Sequence, residues 1–309
     1  MKAVRIHSFG GPEVLRIDEI LKPQPGHGEV LVRVAAASIN PVDYKMRKGG
    51  YPRMTERDLP AGLGRDVAGV IEEIGDNVEG VVPGEPIFAH LGWDRAGYAQ
   101  YVVVKVGEFA PKPETLTLLD AGSLPLATTT AWQGLFDHGR LVAGQSVLIH
   151  GGSGGVGYLA VQFAKLKGAR VIATAGADNV DWVRSLGADE VVDYKAQRFE
   201  DVARDMDLVF DLQGGETRER SWNVLAPHGR LVSTLGSGDI AAEAAAHGRH
   251  GVVYLAEPNA AQLREVGQMA DDGRLQVMVD RVFPLEEASA AQDYAEHGHP
   301  RGKVVLEVR

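Results

Sequence analysis

Residues 150–157 read His-Gly-Gly-Ser-Gly-Gly-Val-Gly, and this short segment constrains the fold more than any other. An apolar, β-branched run, Ser146-Val147-Leu148-Ile149, precedes it, and Val156 to Lys167 carries apolar residues at helical spacing behind it. A strand that ends in a glycine turn opening a helix is the first half of a βαβ unit, and Gly152, Gly154 and Gly157 fit the G-x-G-x-x-G spacing found there. Each glycine has its own reason. Gly152 permits the tight turn, Gly154 lets the backbone approach a pyrophosphate, and Gly157 lets the helix pack close to its strand. Ser153, Gly155 and Val156 complete the loop, and the helix N-terminus offers unpaired amides and its positive dipole end to the phosphates. A glycine-rich turn with a purely backbone role is the bland alternative; the strand before it and the helix after it favour a bound dinucleotide. The G-x-x-x-x-G-K-[ST] spacing of a nucleoside-triphosphate loop is absent.

Further short apolar runs follow: Arg170 to Thr174, Glu190 to Asp193, Asp207 to Asp211, Arg230 to Thr234 and Gly251 to Tyr254. Each suits a strand buried on both faces of a parallel sheet. Stretches such as Val156 to Lys167 and Asn179 to Leu186 are long enough for crossover helices, so the residues from about Leu116 predict a doubly wound α/β domain. Thr117 to Asp137 carries helix-compatible spacing, and Ala241 to Ala246 reads as a surface helix. The chain ahead of this part is mostly β: Glu29 to Val34 alternates with period two, Ala68 to Ile74 less cleanly, and Lys22-Pro23-Gln24-Pro25-Gly26 and Val82-Pro83-Gly84-Glu85-Pro86 punctuate. At the other end, Gln262 to Met269 reads as a helix and Leu275 to Val282 and Lys303 to Val308 as strands. The last strand needs a sheet to join, so the C-terminus is expected to return to the first domain.

Length allows this, since 309 residues hold two domains at roughly 150 each. The net charge, 32 basic against 42 acidic residues for −10, disfavours nucleic acid and anionic lipid surfaces as partners. No apolar stretch approaches the roughly 18 residues needed to span a bilayer. Met1-Lys2-Ala3-Val4-Arg5-Ile6 enters a strand pattern with no signal-peptide run, so a cytoplasmic protein is expected. Cysteine is absent, which removes disulfides, thiolate nucleophiles and sulfur-ligated zinc.

NAD-preferring folds place an acidic residue near the end of the second strand, where it holds the ribose hydroxyls. Here that strand continues Thr174-Ala175-Gly176-Ala177, with no carboxylate before Asp178. The slot is open and lined by small residues, which favours NADPH; Asp178 would repel a 2′-phosphate if it turned inward, and with Asn179 it otherwise reads as a solvated helix cap.

Gly144-Gln145-x-x-Leu148-x-x-x-Gly152-Ser153-Gly154-Gly155-x-Gly157, followed by Gln162 and Lys165, resembles the signature of quinone oxidoreductases of the zeta-crystallin type, within the medium-chain dehydrogenase/reductase superfamily. The likeness covers nearly the whole chain, through Met1 to Arg5, Ala37-Ser38-Ile39-Asn40-Pro41-Val42-Asp43-Tyr44, Gly64-Arg65-Asp66-Val67-Ala68-Gly69-Val70, Leu124-Pro125-Leu126-Ala127 and Arg301-Gly302-Lys303-Val304-Val305, all in the family's order. It implies a Rossmann domain inserted in a GroES-like β-barrel catalytic domain, with residues 1–121 and 261–309 forming the barrel domain and 122–260 the NADP-binding one. It also implies a cleft between them for cofactor and substrate, and a homodimer.

Zinc-dependent members would carry a cysteine near Ser38 or Asn40, a histidine in the Gly64-Arg65-Asp66 region, and four further cysteines in a structural loop. None of these is present, so no zinc is expected; His247 with His250, and His297 with His299, read as solvated surface residues. Without a Lewis acid the substrate must be polarised by hydrogen bonds alone. That suits a quinone or an α,β-unsaturated carbonyl, where charge delocalises onto an oxygen that modest donors stabilise. The resemblance places Asn40 beside nicotinamide and substrate, with its amide as a donor, and Tyr44 in the same pocket with its phenol; Tyr51 is a candidate for the pocket wall. Asp43 and Lys45 read as a pair or a cap. Thr130 matches a threonine facing the nicotinamide, and Tyr194 a tyrosine on the adenosine side. Gly236 and Ser237 fall where the ribose passes, and Arg301 and Lys303 are the bases expected at the cofactor phosphates or the cleft. An enoyl-thioester or other specialised alkene reductase is the nearest alternative activity. A non-catalytic NADPH-binding structural or regulatory protein is the alternative of another class.

Overall fold

Buried apolar runs, alternating strands and glycine turns settle into three sheets in the computed structural model, which describes residues 1–236 and 238–309. One sheet has six strands in the order Glu190–Asp193, Arg170–Ala175, Ser146–Ile149, Met206–Asp211, Leu225–Ser233, His250–Val253, with every neighbouring pair parallel. Chain order reverses between Ser146–Ile149 and Met206–Asp211, and ligands of open α/β sheets bind outside the strand ends at such a switch point. Val147, Leu148 and Ile149 have no exposed surface, as a central strand covered on both faces requires. The helices Gly157–Leu166 and Val180–Ser185 supply the first crossovers.

A second sheet of seven strands runs Val279–Pro284, Lys303–Glu307, Glu29–Ser38, Asp66–Ile74, Pro86–His90, Phe109–Pro111, with Tyr101–Lys105 also paired to Glu29–Ser38. The C-terminal return is explicit in its register: Val305 pairs with Ser38, Leu306 with Ala37 and Glu307 with Ala36, antiparallel. A small third sheet joins Leu15–Glu19, Lys2–Ile6 and Ala61–Gly62. One core cluster therefore draws Val4, Val32, Ile71, Ile87 and Leu306 from both ends of the sequence. The chain forms two compact units, Met1–Leu126 with Glu257–Arg309, and Ala127–Ala256.

Two sequence expectations change. The stretch Thr117 to Asp137 is three elements, the helices Leu118–Gly122 and Pro125–Trp132 and the π-helical Gln133–His138, because Pro125 cannot continue the first helix and starts the second. The strand expected from Leu275 begins at Val279, where its parallel pairing with Lys303–Glu307 starts. Among the described residues, no helix is long and apolar enough to cross a membrane.

Candidate functional site

In the α/β unit the glycine loop is clipped to the end of the second strand. Gly152 N–H donates to the Thr174 carbonyl over 2.8 Å and Gly151 N–H to Thr174 Oγ1 over 3.1 Å. The loop glycines have separable roles. A Cβ on Gly157 would lie 2.0 Å from the Gly151 carbonyl oxygen, so packing requires that glycine, whereas one on Gly152 would press at 3.0 Å on the Ala173 methyl, a tight contact and not a clash with backbone. A Cβ on Gly154 would meet only the Gly151 carbonyl oxygen at 3.5 Å. Gly154 is bare without an intramolecular reason, which fits a backbone kept open for a pyrophosphate. Ser153, Gly155 and Val156 are partly accessible around it, and Val156 caps the helix Gly157–Leu166.

Thr174 and Ala175 are buried and Gly176 is half-buried at the mouth of the open slot, while Asp178 is exposed. Tyr194 is 56% exposed, its N–H donates to the Ala175 carbonyl over 3.2 Å, and its ring edge lies 3.8 Å from where a Gly176 Cβ would stand. These residues therefore come together at one corner of the sheet. Gly236 is exposed beyond the strand Leu225–Ser233; Ser237 lies outside the described residues. Thr130 is buried, and its carbonyl accepts from the Tyr254 hydroxyl over 2.5 Å. Sequence reasoning passed over His150. It is buried with Nε2 2.9 Å from Ser221 Oγ and Nδ1 3.4 Å from Thr174 Oγ1, and burial holds its pKa down at about 4, so the imidazole is neutral at pH 7.

In the barrel unit the predicted Asn40 opens the helix Pro41–Arg47 from an extended backbone, with Pro41 in the first helical position. Asp43 reaches back and accepts from Asn40 N–H at 2.8 Å, and also from Gly64 N–H at 3.1 Å and the Tyr98 hydroxyl at 2.8 Å. It is fully buried, and desolvation pushes its carboxyl up to about 6 despite those donors. Asp43 thus caps the helix as expected, but not with Lys45, whose ammonium burial disfavours.

The Asn40 carboxamide sits in a buried cluster. Its Nδ2 donates to Asp66 Oδ2 over 2.8 Å and reaches the Ser38 carbonyl over 3.4 Å, and its Oδ1 accepts from Lys303 Nζ over 2.5 Å. Asp66 also accepts from the Ser38 hydroxyl and from Leu126 N–H at 2.5 Å, with Lys303 Nζ 3.6 Å away. Lys303 further donates to the Ile39 carbonyl over 3.0 Å and is 3% exposed. Of the two places expected for Lys303, the cofactor phosphates or the cleft, its side chain lies with Asn40 and Asp66 inside the barrel unit, because Asp66 is a buried carboxylate that requires a counter-charge. Arg301 is half-exposed at the turn before that strand, its N–H donating to Asp280 over 3.2 Å. Tyr44 is half-buried, and desolvation, with Glu296 and Asp43 nearby, pushes its phenol up to about 12. Tyr51 stacks on Trp93 with centroids 5.5 Å apart, and its buried hydroxyl has no hydrogen-bond partner among the described residues. No group of three or more His, Cys, Asp or Glu among the described residues is arranged to hold a metal ion. Ser38, Asn40, Arg65 and Asp66 are each hydrogen-bonded within the protein.

Two family profiles match the chain, "Alcohol dehydrogenase GroES-like domain" over residues 26–114 and "Zinc-binding dehydrogenase" over residues 186–306. An NADPH-dependent alkenal/one oxidoreductase of Arabidopsis thaliana, named as chloroplastic, is 34% identical over 318 residues, spanning 99% of this chain and 79% of its own length. The structure of the quinone oxidoreductase from Coxiella burnetii matches with a TM-score of 0.95 at 36% identity, covering 100% of this chain and 99% of its own. The Escherichia coli quinone oxidoreductase complexed with NADPH matches at 0.89 and 25% identity, covering 99% and 100%.

Proposed function

Because the chain belongs to the quinone oxidoreductases of the medium-chain dehydrogenase/reductase superfamily, we propose that it is a zinc-independent, NADPH-dependent reductase passing a hydride to a quinone or an α,β-unsaturated carbonyl. The observation that supports this reading is the buried cluster of Ser38, Asn40, Asp66 and Lys303, whose polar groups are bonded to one another at the positions where the resemblance would put the ligands of a zinc-dependent member. A site so filled leaves polarisation of the acceptor to hydrogen-bond donors, and conjugated acceptors need the least of it.

The loop Gly152 to Gly157, the open slot Thr174 to Gly176, Tyr194, Thr130, Gly236 and Arg301 are the residues assigned to NADPH, and the bare backbone at Gly154 fits its pyrophosphate. When bound, the cofactor supplies the hydride. The protein supplies orientation and donors. Lys303 and Asp66 lock the Asn40 carboxamide, and the amide hydrogen that makes only the long 3.4 Å contact to Ser38 is the one assigned to the acceptor oxygen. Tyr44, held up to about 12, stays protonated at every working pH, so it can donate a hydrogen bond without surrendering its proton. Protonation of the product carbon then falls to water. The reading includes a homodimer in the cytoplasm; light scattering on the purified chain tests its oligomeric state.

Mixing the protein with NADPH and either 1,2-naphthoquinone or 1-octen-3-one, and following the absorbance of the reduced nicotinamide, tests the activity. Oxidation insensitive to chelators is expected. Tight NADPH binding with no oxidation by either acceptor would sink the proposal in favour of a non-catalytic binding role, and chelator-sensitive turnover would sink its metal-free part.

A further inference from the structure

Tyr51 and its neighbours make a polar corner of the barrel unit that the reaction outlined above does not use. The Tyr51 hydroxyl is buried with no hydrogen-bond partner among the described residues, and a buried O–H left unpaired is costly unless something outside the chain completes it. Its ring lies parallel to Trp93, at 5.5 Å and 19°. Two guanidinium groups lie against the same indole, Arg65 at 4.3 Å and Arg53 at 4.7 Å from its centroid. Arg65 is anchored from behind, donating to the Leu91 carbonyl over 2.5 Å and the Arg95 carbonyl over 3.3 Å. Arg53 is exposed and has no carboxylate partner among the described residues. Glu257 is the acidic group whose charge reaches Tyr51, and Asp43, Asp66 and Glu108 act on Arg65, so among the described residues Arg53 and the Tyr51 hydroxyl are the donors of this corner with no bonded carboxylate. In a chain of net charge −10, such a surplus of donors is a place for an anionic oxygen.

We propose that Tyr51, Arg53 and Arg65 form a subsite for a carboxylate carried by the acceptor at the end remote from its conjugated bond. The inference rests on the reductase reading and narrows its substrate class to acidic enones or quinones. The remote end is the one assigned because Arg53 is at the surface, whereas of the donors proposed for the reacting oxygen Asn40 is buried at the start of the helix Pro41–Arg47 and Tyr44 is half-buried within it. Planar guanidinium groups fit a carboxylate through paired N–H bonds, and stacking on Trp93 fixes their orientation before the ligand arrives.

The test compares 9-oxo-10-undecenoate with its methyl ester, which share one reacting centre and differ in one remote charge. The acid is expected to exceed the ester at least tenfold in kcat/KM, through KM. Arg53→Gln and Tyr51→Phe should each bring that ratio close to one, and Arg53→Lys should restore part of it. A wild-type ratio near one, or a ratio unmoved by both substitutions, would overturn the subsite; so would a fall in kcat shared equally by acid and ester, which would place these residues at the reacting oxygen. If neither compound oxidises NADPH, the reductase reading fails separately. Calorimetric titration with sodium nonanoate then decides the subsite: saturable binding lost in Arg53→Gln supports it, and no binding overturns it.

Discussion

At the scale of single residues, Asn40 is the most informative side chain. Its amide can be oriented only one way, because Nδ2 faces the Asp66 carboxylate and Oδ1 faces the Lys303 ammonium. Asn40→Asp keeps the shape but replaces a donor by a second carboxylate beside Asp66. Two acceptors then compete for Lys303 in a buried site, a loss of about 2 kcal/mol by the cost of an unsatisfied buried group. Urea unfolding at pH 7.5 should show that loss, with kcat/KM for 1-octen-3-one down at least tenfold; an unchanged midpoint would mean the cluster is not closed as described. Tyr44→Phe isolates the other donor. It removes a hydroxyl that never ionises in the working range, so kcat should fall about a hundredfold, as for one lost transition-state hydrogen bond, while the shape of the pH profile between 6 and 9 stays unchanged. A profile that changes shape would show Tyr44 acting as an acid.

At the scale of elements, the glycine loop separates folding from binding. Gly157→Ala forces a methyl into the Gly151 carbonyl, so the helix and loop must part, and both thermal stability and NADPH affinity should fall. Gly154→Ala meets nothing closer than 3.5 Å; the melting temperature should hold while the NADPH dissociation constant, read by nicotinamide fluorescence, rises at least tenfold. Equal losses in both variants would deny Gly154 its place at the phosphates. This loop was legible because its spacing, its preceding strand and its following helix are all local. The C-terminal strand was legible for a different reason, since Lys303 to Val308 is too apolar to stand without a sheet. What local pattern could not reveal was direction. Lys303 reads as a base in an exposed turn until the pairing of Val305 with Ser38 carries its side chain in to Asp66, 237 positions away in number. His150 likewise reads as the end of a strand, and its partners Thr174 and Ser221 are supplied only by the parallel sheet and its crossover helix.

At the scale of the whole molecule, three buried titratable groups divide unequally between the two compact units. His90, held at about 3, and Asp43, raised to about 6, belong to the barrel unit, and His150, held at about 4, to the α/β unit. Burial is the leading cause in each case. A histidine whose pKa falls on folding is protonated more readily in the unfolded chain, so its contribution is complete above pH 6.5 and drains away as the pH drops toward the folded value. A carboxyl whose pKa rises on folding has the opposite sign: its contribution is present below 3.8 and is lost as the pH climbs through about 6. At 1.36 kcal/mol per unit, acidification from pH 7 to 4 removes about 3 kcal/mol through each histidine and returns about 2 kcal/mol through Asp43. The barrel unit therefore comes out near balance, whereas among the described residues of the α/β unit no buried carboxyl with a raised pKa offsets His150. Acid should open the nucleotide-binding unit first. Hydrogen exchange at pH 4.5 is expected to release Ser146–Ile149 and Met206–Asp211 while Glu29–Ser38 and Asp66–Ile74 remain protected, and His150→Asn, which carries no titrating group, should move that release to lower pH. Simultaneous release of both sheets, or earlier release of the barrel strands, would show that surface charge and not these three buried groups governs acid unfolding.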